Sequence, residues 1–167
     1  MEHVAETPDA FAQFELPARF ALDAAELEQR FFAKSRELHP DRFASAPAAQ
    51  RVAALARSRA LNDAYQVLKR PAARAEYLLA RRGLQIGANE RLEPAFLHEI
   101  LELREELAEA RAAGQVTKVE ELSAAMRRRR AAALEALGPW FSQAEQAPQE
   151  QAAALYARIK AALISLR

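Results

Sequence analysis

The sequence contains no cysteine. That excludes a disulfide framework, a thiolate zinc site, a cysteine-ligated iron–sulfur cluster and a cysteine nucleophile, and it suits a reducing, cytoplasmic compartment. Glycine is nearly as scarce, at 4 of 167 residues. Loops that cradle phosphates are therefore hardly available, and neither a P-loop, a GxGxxG fingerprint nor a GxSxG elbow occurs. His3, His39 and His98 lie far apart, so no pair has the spacing of a metal site, and no resident metal or cofactor is expected. No apolar run approaches the roughly 18 residues of a membrane span. The opening Met1-Glu2-His3-Val4-Ala5-Glu6 lacks the basic and apolar regions of a signal peptide. One-sided charge is missing too. The 24 Lys and Arg nearly cancel the 23 Asp and Glu, which argues against a dedicated nucleic-acid or membrane-surface protein. Any electrostatic partner has to be met by a local patch.

What is abundant is alanine, 41 residues, and leucine, 21, against 11 Val, Ile and Thr together. Alanine loses no side-chain entropy in a helix, whereas strands favour β-branched residues, so the composition predicts an all-α protein. Asp9 caps a short turn carrying Phe11 and Phe14, which Pro17 ends. Asp23 with Glu26 three residues on gives a capping-box-like start to a helix bearing Leu27, Phe31 and Leu38, closed by Pro40. A loop of small residues over 44–49 leads to a long helix with apolar positions at Val52, Leu55, Leu61, Tyr65 and Leu68. Pro71 opens a further helix over 71–82, with Ala75, Leu78 and Leu79 inward and Gly83 as its stop.

Periodicity fails over 84–93, where Gly87, Ala88 and Asn89 interrupt, and this stretch reads as a linker. Three more helices follow. The first ends at Gly114, the second covers 117–137 and stops at Gly138-Pro139, and the third runs over 148–166 with Tyr156, Ile159, Leu163 and Leu166 as its stripe. Joined by short loops, they make an antiparallel three-helix bundle. The expected division is 8–83 for the first module, 84–93 for the linker and 94–167 for the bundle.

His39-Pro40-Asp41, at the mouth of a loop between two helices, is the most informative triplet. Taken alone, it is equally a helix stop followed by an Asx-type turn. Its setting favours more: Arg30 and Lys34 stand one turn apart on the preceding helix face, Glu26 one turn further back, and Arg42 follows. The histidine has neither an orienting carboxylate nor a nucleophile, so it joins no catalytic triad. A polar triplet on a proline-rigid turn beside a basic strip suits gripping a partner protein, and the chain is expected not to be an enzyme. Leu38-His39-Pro40-Asp41-Arg42-Phe43 resembles the signature of the J-domain, the module by which co-chaperones stimulate the ATPase of DnaK-class chaperones.

The resemblance extends further. Phe14-Glu15-Leu16-Pro17, Leu61-Asn62-Asp63-Ala64-Tyr65-Gln66-Val67-Leu68, Pro71-Ala72-Ala73-Arg74-Ala75-Glu76-Tyr77-Leu78-Leu79, and Phe96-Leu97 through Leu103-Arg104-Glu105-Glu106-Leu107 are similar in order and spacing to the HscB family, the J-type co-chaperones of iron–sulfur cluster biogenesis. The glycine/phenylalanine stretch and zinc repeats of general J-domain proteins are absent, as is the cysteine zinc module of some eukaryotic relatives, which points to a bacterial type. One departure is Glu15, which stands where the family usually has glycine. The resemblance implies a J-domain helical hairpin with accessory helices, followed by the three-helix bundle. It implies that an HscA/DnaK-class ATPase chaperone contacts His39, Pro40, Asp41, Arg30, Lys34 and Arg42. The implied second partner is an IscU-type iron–sulfur scaffold.

On a helical wheel of ~100° per residue, Ile100, Leu103 and Leu107 fall within about 40° of Phe96 and form the expected core stripe. Leu97 and Leu101 fall at about 100° and 140°, beside His98, Glu102, Glu105 and Glu109. This acidic and apolar face suits docking of a partner protein, and the resemblance implies that it binds the scaffold. His98 stands where the family often has an apolar residue such as Met, and the family's third bundle helix also contributes an aromatic, a position that is carried over to no residue of this chain. Two alternatives stay open: a J-domain protein with a different client, and a helical nucleic-acid-binding protein using Arg127-Arg128-Arg129-Arg130. Four consecutive arginines on a helix point to all its sides, so some must lie along the core edge or pair with the acidic first bundle helix.

Overall fold

A computed structural model describes residues 8–88 and 90–166, without the side chain of Pro40. His3 and Asn89, singled out above, lie outside the described residues. Every regular element among those residues is helical: α1 (Ala10–Gln13), α2 (Ala24–Glu37), a 3-10 turn (Pro40–Phe43), α3 (Ala48–Lys69), α4 (Pro71–Ala80), α5 (Pro94–Ala112), α6 (Val116–Gln146) and α7 (Gln149–Ser165). No helix among them is long and apolar enough to cross a membrane. The chain divides into two compact units between Leu78 and Leu79, inside α4.

In the first unit, α1 and α2 both pack on α3. Asp9 caps α1 by accepting from the Ala12 amide at 3.0 Å, and its other carboxylate oxygen accepts from the Tyr77 hydroxyl at 3.1 Å. That hydroxyl in turn accepts from the Ala10 amide at 2.9 Å, so α4 holds the start of the fold. Asp23 caps α2, accepting from Ala25 at 2.8 Å and Glu26 at 3.3 Å. Glu26 turns its carboxylate to Arg30 one turn on. Phe11, Phe14, Leu27, Leu61, Leu68 and Leu78 are buried, and Phe31 stacks on Tyr65 with ring centroids 4.1 Å apart. Half-buried Arg74 donates to the Leu68 carbonyl at 2.6 Å and stacks on Phe20, and burial pushes its pKa down.

Val52 and Leu55, expected among the apolar positions of the long helix, face solvent at 66% and 55% exposure. The buried stripe of α3 runs through Ala54, Leu61 and Leu68. At ~100° per residue Val52 lies about 160° and Leu55 about 100° from Ala54.

The second unit holds α5, α6 and α7. Gly114, at φ 64, allows α5 to end with the Gln115 amide donating back to the Ala110 carbonyl, and Gly83, at φ 78, does the same after α4 with the Leu84 amide on Leu79. The expected stop at Gly138-Pro139 is wrong: α6 continues through Pro139 to Gln146. An internal proline costs about 3 kcal/mol. Beyond it Phe141 and Ala144 are buried, and Phe141 meets Tyr156 of α7 at 6.2 Å. Burying a phenylalanine contributes roughly 1.5–3 kcal/mol by itself, so packing on α7 offsets the break. Leu137, Ile159 and Leu163 complete this core. The α5 stripe of Phe96, Ile100, Leu103 and Leu107 is only half-buried.

This distribution sets an expectation for stability. Leu163→Ala removes a fully buried side chain and lowers unfolding stability by about 2–5 kcal/mol, whereas half-buried Leu103→Ala costs about 1–2 kcal/mol. Exposed Leu55→Ala changes it by less than about 0.5 kcal/mol. Urea unfolding followed by helical circular dichroism checks the order, and equal losses at positions 103 and 163 contradict it.

Candidate functional sites on two helical surfaces

The first candidate surface is the connection between α2 and α3. α2 ends at Glu37 with Leu38 as its cap, because the residue before a proline is pushed out of the helical region and His39 is extended at φ −61, ψ 132. Pro40 opens the 3-10 turn at a position where its missing N–H leaves nothing unsatisfied. Within the turn, the Asp41 amide donates to His39 Nδ1 at 3.3 Å and the Arg42 amide to the His39 carbonyl at 3.0 Å. With Nδ1 turned to the Asp41 amide, the Nε2 side of the ring faces outward, where it can donate to a partner. The Asp41 carboxylate stands 90% exposed, 3.4 Å from the same Nδ1, and Arg42 is exposed beside it. The turn thus presents an anionic acceptor and an imidazole donor on a short, internally bonded backbone.

Arg30 and Lys34 are engaged within the chain. Arg30 Nη1 donates to the carbonyl oxygens of Phe14 at 2.7 Å and Glu15 at 2.9 Å, while Nη2 pairs with Glu26 at 2.6 Å. Lys34 Nζ reaches the Glu15 carboxylate at 2.7 Å. That hydrogen bond and charge hold Glu15 below the usual carboxylate range. These contacts tie the exit of α1 to α2, which reading each helix separately did not reveal. The signal for them was Glu15 itself, at a glycine position.

The second candidate surface is the outer face of α5. Leu97 and Leu101 are 45% and 49% exposed. Between them His98 Nε2 approaches Glu102 at 3.2 Å, and Glu105 and Glu109 continue the exposed face. Glu99 lies on another face, where it forms a two-pronged ion pair with Arg129 of α6. The pairing lowers the pKa of Glu99 and raises that of Arg129. Arg129 also lies over Phe96 at 5.2 Å, and Arg130 donates to the Leu166 carbonyl at 3.0 Å. Two of the four consecutive arginines therefore brace the bundle.

Sequence reading missed a groove of about 460 Å³ lined by Phe96, Ile100, Met126, Ala133, Ala162 and Leu166. A second hollow, of about 360 Å³, is lined by Trp140, Arg158 and Ala161, with Arg158 stacked over Trp140 at 4.3 Å. The adjacent alanines at 161 and 162 were the available signal, since they leave room where larger side chains would fill the space. Among the described residues no group of three or more His, Cys, Asp or Glu could hold a metal ion.

A family model described as the HSCB C-terminal oligomerisation domain matches residues 92–167. The chain is similar to the co-chaperone protein HscB homolog of Burkholderia multivorans, 44% identical over 143 residues that cover 84% of this chain and 82% of that protein. It is 42% identical to the homolog of Burkholderia vietnamiensis over the same shares. Among solved structures, the chaperone HscB from Vibrio cholerae superposes with a TM-score of 0.78 at 31% identity, covering 95% of this chain and 88% of that one. The human co-chaperone protein HscB superposes with a TM-score of 0.81 at 25% identity, covering 100% and 79%. The helical hairpin with accessory helices and the three-helix bundle are the architecture these proteins share, and the chain belongs to the HscB family of co-chaperones.

Proposed function

We propose that this chain is a non-enzymatic adaptor of iron–sulfur cluster assembly or transfer. It stimulates ATP hydrolysis by an HscA/DnaK-class chaperone and delivers an IscU-type scaffold protein to it, in the cytoplasm. Residues 8–83 act as the J-domain, 84–93 as the linker and 94–167 as the client-binding bundle. The observation that carries this reading is the turn itself, in a member of this family: Asp41 is 90% exposed on a backbone that hydrogen-bonds to its own His39.

Asp41, as an anion, and His39, as a donor, contact the nucleotide-binding side of the chaperone, and Pro40 restricts the backbone so that little entropy is lost on binding. Lys34 and Arg42, with Arg30 behind them, attract an acidic groove and speed encounter. The chain supplies no group to the hydrolysis, which belongs to the chaperone. The scaffold is held by Leu97 and Leu101 as apolar anchors, with His98, Glu102, Glu105 and Glu109 around them. Two half-exposed leucines one turn apart on one helix face suit a partner's apolar pocket, and the surrounding carboxylates suit a basic rim.

His39→Gln and Asp41→Asn are expected to abolish stimulation of the chaperone's single-turnover ATP hydrolysis while leaving helical circular dichroism unchanged, because both side chains are exposed. Retained stimulation by both variants contradicts the chaperone site. Leu101→Ala is expected to weaken scaffold binding by more than about 1 kcal/mol in calorimetric titration, with little change in melting and with scaffold-free ATPase stimulation intact. Unchanged scaffold affinity removes Leu101 from the site.

A further inference from the structure

α1 ends in a way that favours glycine. The Glu15 amide donates to the Ala12 carbonyl at 3.0 Å and the Leu16 amide to the Phe11 carbonyl at 3.1 Å, the paired closing bonds of a left-handed helix end. The residue at the left-handed position is Glu15, at φ 55, and among the described residues it is the one non-glycine with positive φ. A side chain there is disfavoured by the contact between Cβ and the backbone carbonyl, so its presence calls for a compensating contact. One is present: the Glu15 carboxylate sits on Lys34 at 2.7 Å, while Arg30 donates to the Glu15 main-chain carbonyl, which any residue there would offer. The Glu15 side chain is 73% exposed and Lys34 30%, so the carboxylate lies on the solvent side of the cation. Of the three cations assigned to chaperone docking, Arg30 donates to two carbonyls and pairs with Glu26, Lys34 is covered by Glu15, and Arg42 stands exposed on the turn.

We propose that Glu15 is a built-in electrostatic brake on chaperone docking: its carboxylate occupies Lys34, and an acidic surface on the chaperone must displace it to reach the basic strip. This rests on the reading of Arg30, Lys34 and Arg42 as docking residues. The contact is a solvent-exposed ion pair, so displacing it is cheap and the brake tunes affinity without blocking access. Glu15 is therefore a specificity residue: it selects for partners whose carboxylates outcompete one intramolecular carboxylate, and against weakly acidic ones.

The test is a double-mutant cycle on the full chain, measured as equilibrium association with the partner ATPase chaperone at low and high ionic strength. Glu15→Gln keeps the side-chain length and removes the charge. It should tighten association roughly two- to fivefold at low salt, with the gain shrinking as salt screens it. Lys34→Ala should weaken association, and Glu15→Gln should then have no further effect, because the masked cation is gone. Glu15→Gly removes both the carboxylate and the strained Cβ and should tighten association as Glu15→Gln does. If Lys34→Ala weakens association but Glu15→Gln leaves it unchanged, the brake is wrong and the basic strip stands. A gain of equal size in the Lys34→Ala background overturns the brake in favour of general repulsion, and a gain with Gly but not Gln overturns it in favour of backbone strain. If Lys34→Ala associates as tightly as the unmodified chain, the docking role of Lys34 falls and the brake with it.

Discussion

The stack of Phe31 on Tyr65, 4.1 Å between centroids and 13° from parallel, fixes how α2 lies along α3. The geometry of the first surface depends on that pairing. A pair of this kind adds roughly 0.5–1.5 kcal/mol beyond the area it buries, and buried Leu27 and Leu61 extend the contact along the hairpin. The turn between the helices combines its internal hydrogen bonds with packing on α3, so the placement of Asp41 depends on the hairpin. α1 and α4 act on the same element from outside: α1 packs on α3, and Tyr77 of α4 holds the start of α1. An exposed polar turn carried by a packed hairpin is expected to tolerate substitution without unfolding the protein.

The bundle solves a different problem. Its dense core lies between α6 and α7, where Leu137, Phe141, Ile159 and Leu163 are buried and where packing carries α6 through Pro139. α5 is attached by a half-buried stripe and by charge, through Glu99 on Arg129 and Lys118 on Glu106 at 3.1 Å. Because α5 is not enclosed, it can display leucines outward at Leu97 and Leu101. Their exposure is a consequence of how the helix is packed, and it leaves apolar area for a partner to remove from water.

Helix caps and stops were the most legible features, because they rest on single residues: Asp9, Asp23, Gly83 and Gly114 each do locally what their chemistry predicts. The outward face of α5 was legible from the wheel for the same reason, since a period of 3.6 needs no partner to be read. What required tertiary structure was less accessible. Pro139 ends an isolated helix but not one whose next turn is buried, and Val52 and Leu55 look like core until the stripe through Ala54 and Leu61 is known. The basic strip was visible as a pattern on α2. Its engagement by Glu15 and by the Phe14 carbonyl was not, because those groups arrive from another helix.

If one chain holds two partners on two distinct surfaces, the ATPase chaperone at the His39–Arg42 turn and the iron–sulfur scaffold on the outer face of α5, each surface should capture only its own partner. The most direct measurement installs a photoreactive amino acid in place of Arg42 in one variant and of Leu97 in another. Each is irradiated in a mixture of chaperone, ATP and scaffold, and the cross-linked products are identified by mass spectrometry. The expected result is capture of the chaperone alone from position 42 and of the scaffold alone from position 97. Capture of the same partner from both positions, or exchange of the two partners, would contradict it.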